Sequence, residues 1–217
     1  FIVPAYEDPM HWVNKEGQLP INVTPENSKL EDAEERTRMR SVFERGLTQP
    51  TGYILPIQRW NAKVQRSWRS ERWSLRRGHL FLAPGDSPLG LRLPLNSLPW
   101  IPASDYPYLH PQDPLEQRQD LPGHRQLQET YVTPQSSVAQ QDIREQIAID
   151  GAVRTALAVE AREGKLCIFM PPVERLEDYL ELVYAAELTA KELGLPIHIE
   201  GYPPPTDHRL EVIKVTP

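Results

Sequence analysis

The chain has 217 residues, 39% of them hydrophobic, which is enough apolar material for one sizeable core or two small ones. A formal net charge of -6 argues against nucleic-acid phosphates or an acidic membrane as partners, and no apolar run approaches the ~20 residues that span a bilayer. The single cysteine, Cys167, excludes an internal disulfide, and with no signal-peptide pattern at the start these features predict a cytoplasmic protein.

In chain order, the first element predicted is a helix. Ser28 and Glu31 form a capping box ahead of EDAEERTRMRSVFERG, with acids early, arginines late and Gly46 just past the end. From Gly52 the texture changes to short apolar runs, TGYILPI, RWSLRRGHLFLAPG and LGLRLPL, separated by glycine and proline; these read as strands, with a turn at RRGH. The stretch from Arg59 to Arg77 is basic and interleaves Trp60, Trp68 and Trp73; it reads either as a phosphate-binding surface or as tryptophans packed inside with arginines reaching solvent, and the second reading is favoured.

The segment Gly85 to Trp100, GDSPLGLRLPLNSLPW, is a shaped turn entering an edge strand, because Pro88, Pro94 and Pro99 lack backbone donors while Gly85 and Gly90 open unusual backbone angles. Arg92 is the strongest candidate there for gripping a phosphate or carboxylate, since a guanidinium makes bidentate contacts. Asp86 and Ser87 either contact a ligand or simply cap the turn. Residues from about Pro102 to Gln141 are rich in Pro, Gln, Asp and Ser and read as a loop or flexible linker.

Order returns with VRTALAVEAREGKLCIFM, a hairpin turning near Gly164 and stopped by Pro171 and Pro172. A helix follows over ERLEDYLELVYAAELTAKELG, ended by Gly194, and then LPIHIEGY and LEVIKV read as strands around a PPPTDH turn. The predicted class is α+β, a largely antiparallel sheet covered by helices, divided into 1–101, a 102–146 linker and 147–217. Period-two alternation puts Glu160 on the face of Ala156 and Ala158, where small neighbours leave room for a ligand; the carboxylate is either solvated or a Mg²⁺ donor. Arg154, at the opening of that strand, is a second candidate cation. The six histidines show no zinc spacing, and Cys167 reads as a buried thiol.

The phrases FIVPAYEDP, LPINVTPENSKLEDAEERTRMRSVFERGL, TGYILPI, LRRGHLFLAPGDSPLGLRLPLNSLPW, IFMPPVERLEDYLELV and EGYPPP resemble, in order, a bacterial family of amidoligases that accompany transglutaminase-like domains. The resemblance implies a partial glutamine-synthetase-like layer and an ATP-dependent joining of a small-molecule or peptide carboxylate to an amine. It implies ATP and Mg²⁺ as cofactors, Glu160 and Glu200 as metal donors, Arg92 and Arg154 as catalytic cations, and Gly85, Asp86, Ser87 and Gly90 around the nucleotide. A transglutaminase-like domain in the same polypeptide is the implied partner. The beginning at Phe1 and the end at Pro217 predict a piece of a longer protein, inactive by itself. The alternative is a non-catalytic recognition or interdomain scaffold.

Overall fold

The structure, a computed structural model, describes residues 1–16, 42, 44–61, 66–75, 78–84, 91–93, 95, 98–102, 117–132, 153–162, 164–211, 213 and 215. The chain opens with strand β1 (Val3–Glu7) and helix α1 (Pro9–Glu16). Next come β2 (Gly52–Pro56), β3 (Gln58–Asn61), β4 (Arg66–Arg69), β5 (Leu80–Pro84) and the two-residue β6 (Leu91–Arg92). Helix α2 (His124–Val132) precedes β7 (Ala156–Arg162), β8 (Lys165–Met170), helix α3 (Leu176–Leu193) and β9 (Ile197–Gly201).

Seven strands form one sheet in the order β6-β5-β1-β2-β7-β8-β9. Pairing is antiparallel except between β1 and β5 and between β8 and β9, the latter joined by α3 as a βαβ crossover. Strands from the early and late parts of the chain therefore share one hydrogen-bonded layer, with Gly52 opposite Glu160 and Ile54 opposite Ala158. Gly52 permits that approach: a β-carbon there would stand 2.6 Å from the carbonyl oxygen of Val159.

Alternation along the strands splits the core into two faces. On one, Ile168 and Met170 meet Leu182 and Ala186 of α3, with Leu157, Val159 and Trp68 around them. On the other, Ala5, Ile54, Leu80 and Ala156 pack with Trp73 and Leu98. Each such large aliphatic side chain, buried, contributes about 1.5–3 kcal/mol. The β3–β4 ribbon is tied to α3 by polar contacts: Arg59 Nη1 and Trp68 Nε1 both donate to Glu181, at 3.1 and 2.8 Å. Trp73 Nε1 donates to the carbonyl of Val153 at 2.9 Å. The tryptophans Trp68 and Trp73 are thus packed inside, and Arg59 lies over the Trp68 ring.

The hairpin turning at Gly164, with φ +74°, and the left-handed cap at Gly194 stand where the sequence puts them. Of the predicted helix ending at Gly46, Val42, Glu44 and Arg45 are helical and the Gly46 N–H donates to Val42 O at 2.9 Å; its earlier residues lie outside the described ones. Three readings differ. Residues 71–75 belong to no strand, because Trp73 is spent on the core and on Val153 rather than on a ladder. Residues 211, 213 and 215 are not strand either, and Ile213 and Val215 are exposed. Within the stretch read as a linker, 124–132 is helical and docks on α3, with His124 edge-on to Tyr184 at 5.2 Å.

A second polar knot fixes the segment before α2. Asp207, whose side chain is 1% exposed, accepts from Arg118 and from Arg209, which also reaches Glu177 at the start of α3. Hydrogen bonds from Arg209 and Arg118 hold the Asp207 carboxyl far below the usual carboxylate range. Among the described residues no helix is long and apolar enough to cross a membrane.

Candidate functional site

The sheet face opposite α3 is covered near its middle by the residues around Leu93 and Leu95, and beyond them it opens into a trough of about 530 Å³. The floor is laid by alternate residues of β7: Ala156, Ala158, Glu160 and Arg162 all line it, as alternation predicts for Glu160. Cys167 and Phe169 of β8 continue the floor, followed by Glu200 of β9. The small alanines create the depth. A larger residue at either position would fill it.

The charged end has a definite arrangement. Arg162 Nη2 donates to Glu200 Oε1 and also lies 3.5 Å from the Cys167 sulfur, while Nη1 stands 4.0 Å from Glu160 Oε2. Burial opposes the guanidinium's charge, but the bond to Glu200, the charge of Glu200 and the nearby Cys167 and Glu160 together outweigh it and raise the arginine pKa. Burial pushes the Cys167 thiol up, with Arg162 pulling the other way, so sulfur remains a thiol at neutral pH. At 4.0 Å, Arg162 Nη1 is paired with Glu160 by charge rather than by a hydrogen bond.

An aromatic and proline wall flanks this end. Phe169 meets Tyr202 edge-to-face at 6.3 Å, beside Pro171, Pro172 and Pro203. Gly201 makes the turn that brings Tyr202 there. Its φ is +94°, and a β-carbon would lie 2.7 Å from Met170 N and 2.9 Å from Phe169 Cδ1.

Glu160 and Glu200 line one trough, but from β7 and β9, which are separated by β8 rather than being the neighbouring strands the sequence suggests. Arg154 lines the other end, but its donors are engaged: Nη1 with Leu95 O at 3.2 Å and Nη2 with Pro99 O at 2.5 Å. These bonds tie Leu95 and Pro99 to the start of β7. Arg92 lies in β6, opposite Ala83. Gly85, Asp86, Ser87 and Gly90 lie outside the described residues.

A divalent cation shared by Glu160 and Glu200 would have to displace Arg162, which supplies the positive charge between them. As the side chains stand, the pair does not fit such an ion, and among the described residues no group of three or more His, Cys, Asp or Glu is gathered for one. Arg162 is the residue that sequence reasoning missed. The same alternation that selects Glu160 selects Arg162 two positions on, so the signal was available; what hid it was the turn residue Gly164 close behind. Tyr202 carried no signal, because its place depends on the positive φ of Gly201.

A family model described as "Putative amidoligase enzyme" matches residues 1–217. No curated protein and no solved structure matches the chain.

Proposed function

The chain belongs to this amidoligase family, and from that premise we propose that the charged end of the trough receives a carboxylate substrate for amide formation. The observation that carries this reading is the state of Arg162, which lines the trough: Glu200 holds Nη2, while Nη1 stands 4.0 Å from Glu160 Oε2, beyond hydrogen-bond distance. A guanidinium so held offers a carboxylate its positive charge and a charge-assisted hydrogen bond from Nη1. Glu160, on the same face, accepts the proton that an attacking amine loses as its nitrogen bonds to the acyl carbon. Positive charge on Arg162 stabilises the oxyanion that develops in that attack.

A free carboxylate becomes reactive toward an amine once one of its oxygens is made a leaving group, and this is the chemistry ATP supplies when bound. Gly85, Asp86, Ser87 and Gly90, between β5 and β6, are the chain's proposed contribution to the nucleotide. The presence of Glu160 and Glu200 on nearby strands of a largely antiparallel sheet supports the glutamine-synthetase-like layout. The test uses hydroxylamine as the amine, so that an activated carboxylate is trapped as a hydroxamate. Carboxylate- and ATP-dependent hydroxamate formation is expected to fall about 10²-fold or more in Glu160→Gln, in the range for loss of a general base. Formation at the normal rate in both Glu160→Gln and Arg162→Met contradicts the proposal.

A further inference from the structure

The trough is unequal along its length. Strand β7 runs from Ala156 to Arg162, so the two ends of its floor are about 20 Å apart at the rise of a strand, and Ala158 lies about 13 Å from Arg162. Glu160 stands next to Arg162 on β7, and Glu200, level with Phe169 and Ala158 by register, reaches Arg162 through its carboxylate. Level with Ala158 stand Ile54 and Phe169, and the bond from Arg154 to Leu95 O brings Leu95, with Leu93 beside it, to that end. Nearby Thr155 spends its hydroxyl on the carbonyl of Ile57, and Arg154 its Nη groups on Leu95 and Pro99. Among the described residues, these polar groups are thus turned to the backbone rather than to the trough.

A small polar amino acid does not match this shape. Its second polar end would be drawn across a surface of aliphatic carbon, with an uncompensated desolvation cost. A cavity of about 530 Å³ is also in the range that encloses an extended organic molecule.

Resting on the reading of Arg162 as the carboxylate clamp, we infer that the carboxylate substrate is amphiphilic: a carboxylate head at Arg162 and an unbranched apolar chain laid over Ala158 toward Leu93 and Leu95. Ala158 then sets the chain length admitted, because its methyl group is the floor on which the chain lies. Ala158 is the neighbour of Glu160 on the same face of β7 and has no group of its own to take part in the chemistry.

The experiment is calorimetric titration of acetate, hexanoate and decanoate into the protein, into Ala158→Leu and into Arg162→Met, with circular dichroism and thermal melting of each to establish that it is folded. Affinity is expected to rise about threefold to fourfold per added methylene while the chain gains contact with the trough. In Ala158→Leu the rise should stop short, leaving hexanoate nearly unchanged and decanoate at least tenfold weaker. In Arg162→Met all lengths should weaken together. Equal affinity for acetate and decanoate, or decanoate binding indifferent to Ala158→Leu, overturns the amphiphile inference while leaving Arg162 intact as a carboxylate clamp. Binding indifferent to Arg162→Met overturns the reading on which the inference rests. Should Ala158→Leu fail to fold, Ala158→Val serves as the smaller obstruction, with a correspondingly smaller loss for decanoate alone.

Discussion

Arg162 and Glu200 meet diagonally across β8, the guanidinium passing over the thiol of Cys167 to donate to a carboxylate on the far strand. This bond locks the arginine's position without consuming all its donors. It also couples β9 to β7, which do not touch through the backbone. A side chain restrained in this way loses less freedom when a substrate arrives than an arginine in open solvent would.

Glu200→Gln is therefore expected to weaken carboxylate binding through Arg162, even though Glu200 touches no substrate. Its amide still accepts a hydrogen bond but no longer pairs a charge, so a loss of about 1–2 kcal/mol is expected in carboxylate affinity. Calorimetric titration of hexanoate checks this. The expected loss is larger for Glu200→Ala than for Glu200→Gln.

Gly201→Ala should disturb the aromatic wall. At φ +94° an alanine is strained, and its β-carbon would press on the backbone of Met170. A destabilisation of about 2 kcal/mol follows, within the usual cost of such backbone strain. Urea denaturation measures it, and the fluorescence of Tyr202 reports whether the ring has left Phe169.

Acid should loosen the knot around Asp207 before the sheet. Arg209 and Arg118 depress its carboxyl pKa in the folded protein, so the unfolded chain takes up the proton first as pH falls. The stabilisation is complete above the unfolded value of about 3.9 and is progressively lost below it. Asp207→Asn should cost about 3 kcal/mol at neutral pH, because two arginines lose a buried partner. It should also flatten the acid limb of the stability curve and raise hydrogen exchange at residues 117–123, which Arg118 tethers.

Arg59 is expected to matter for folding rather than for ligand binding. It stands 3.2 Å from Asp178, whose side chain is 1% exposed, in an ion pair out of hydrogen-bond alignment, and it bonds to Glu181. Arg59→Met should destabilise by about 3 kcal/mol, the cost of stripping a buried carboxylate of a partner. The double variant with Asp178→Asn should recover part of that loss. Thermal melting of the three proteins checks it, and hexanoate affinity should stay unchanged.

The late hairpin, its helix and the cap at Gly194 were legible because each rests on local rules: alternation along β7 and β8, apolar spacing along α3, and a glycine where the chain turns left-handed. Long-range pairing was not legible. Nothing local says that Gly52 must face Glu160, since that register depends on two backbones approaching where a side chain would collide. Helix α2 was hidden by its polar composition; its place comes from docking at Tyr184 rather than from an apolar stripe of its own. At the site, alternation placed Glu160 correctly, whereas Arg154 looked free in sequence and is engaged by the carbonyls of Leu95 and Pro99. Which arginine is tied to backbone carbonyls and which to a carboxylate was decided by the acceptors the fold brought near.

The central claim is that Arg162 binds the substrate carboxylate, and the most direct measurement is the titration of hexanoate into the protein and into folded Arg162→Met. Saturable binding that weakens at least tenfold in the variant is expected, from the loss of a charge-assisted hydrogen bond worth about 1.5–3 kcal/mol together with the positive charge. Equal affinity in the two proteins would contradict it.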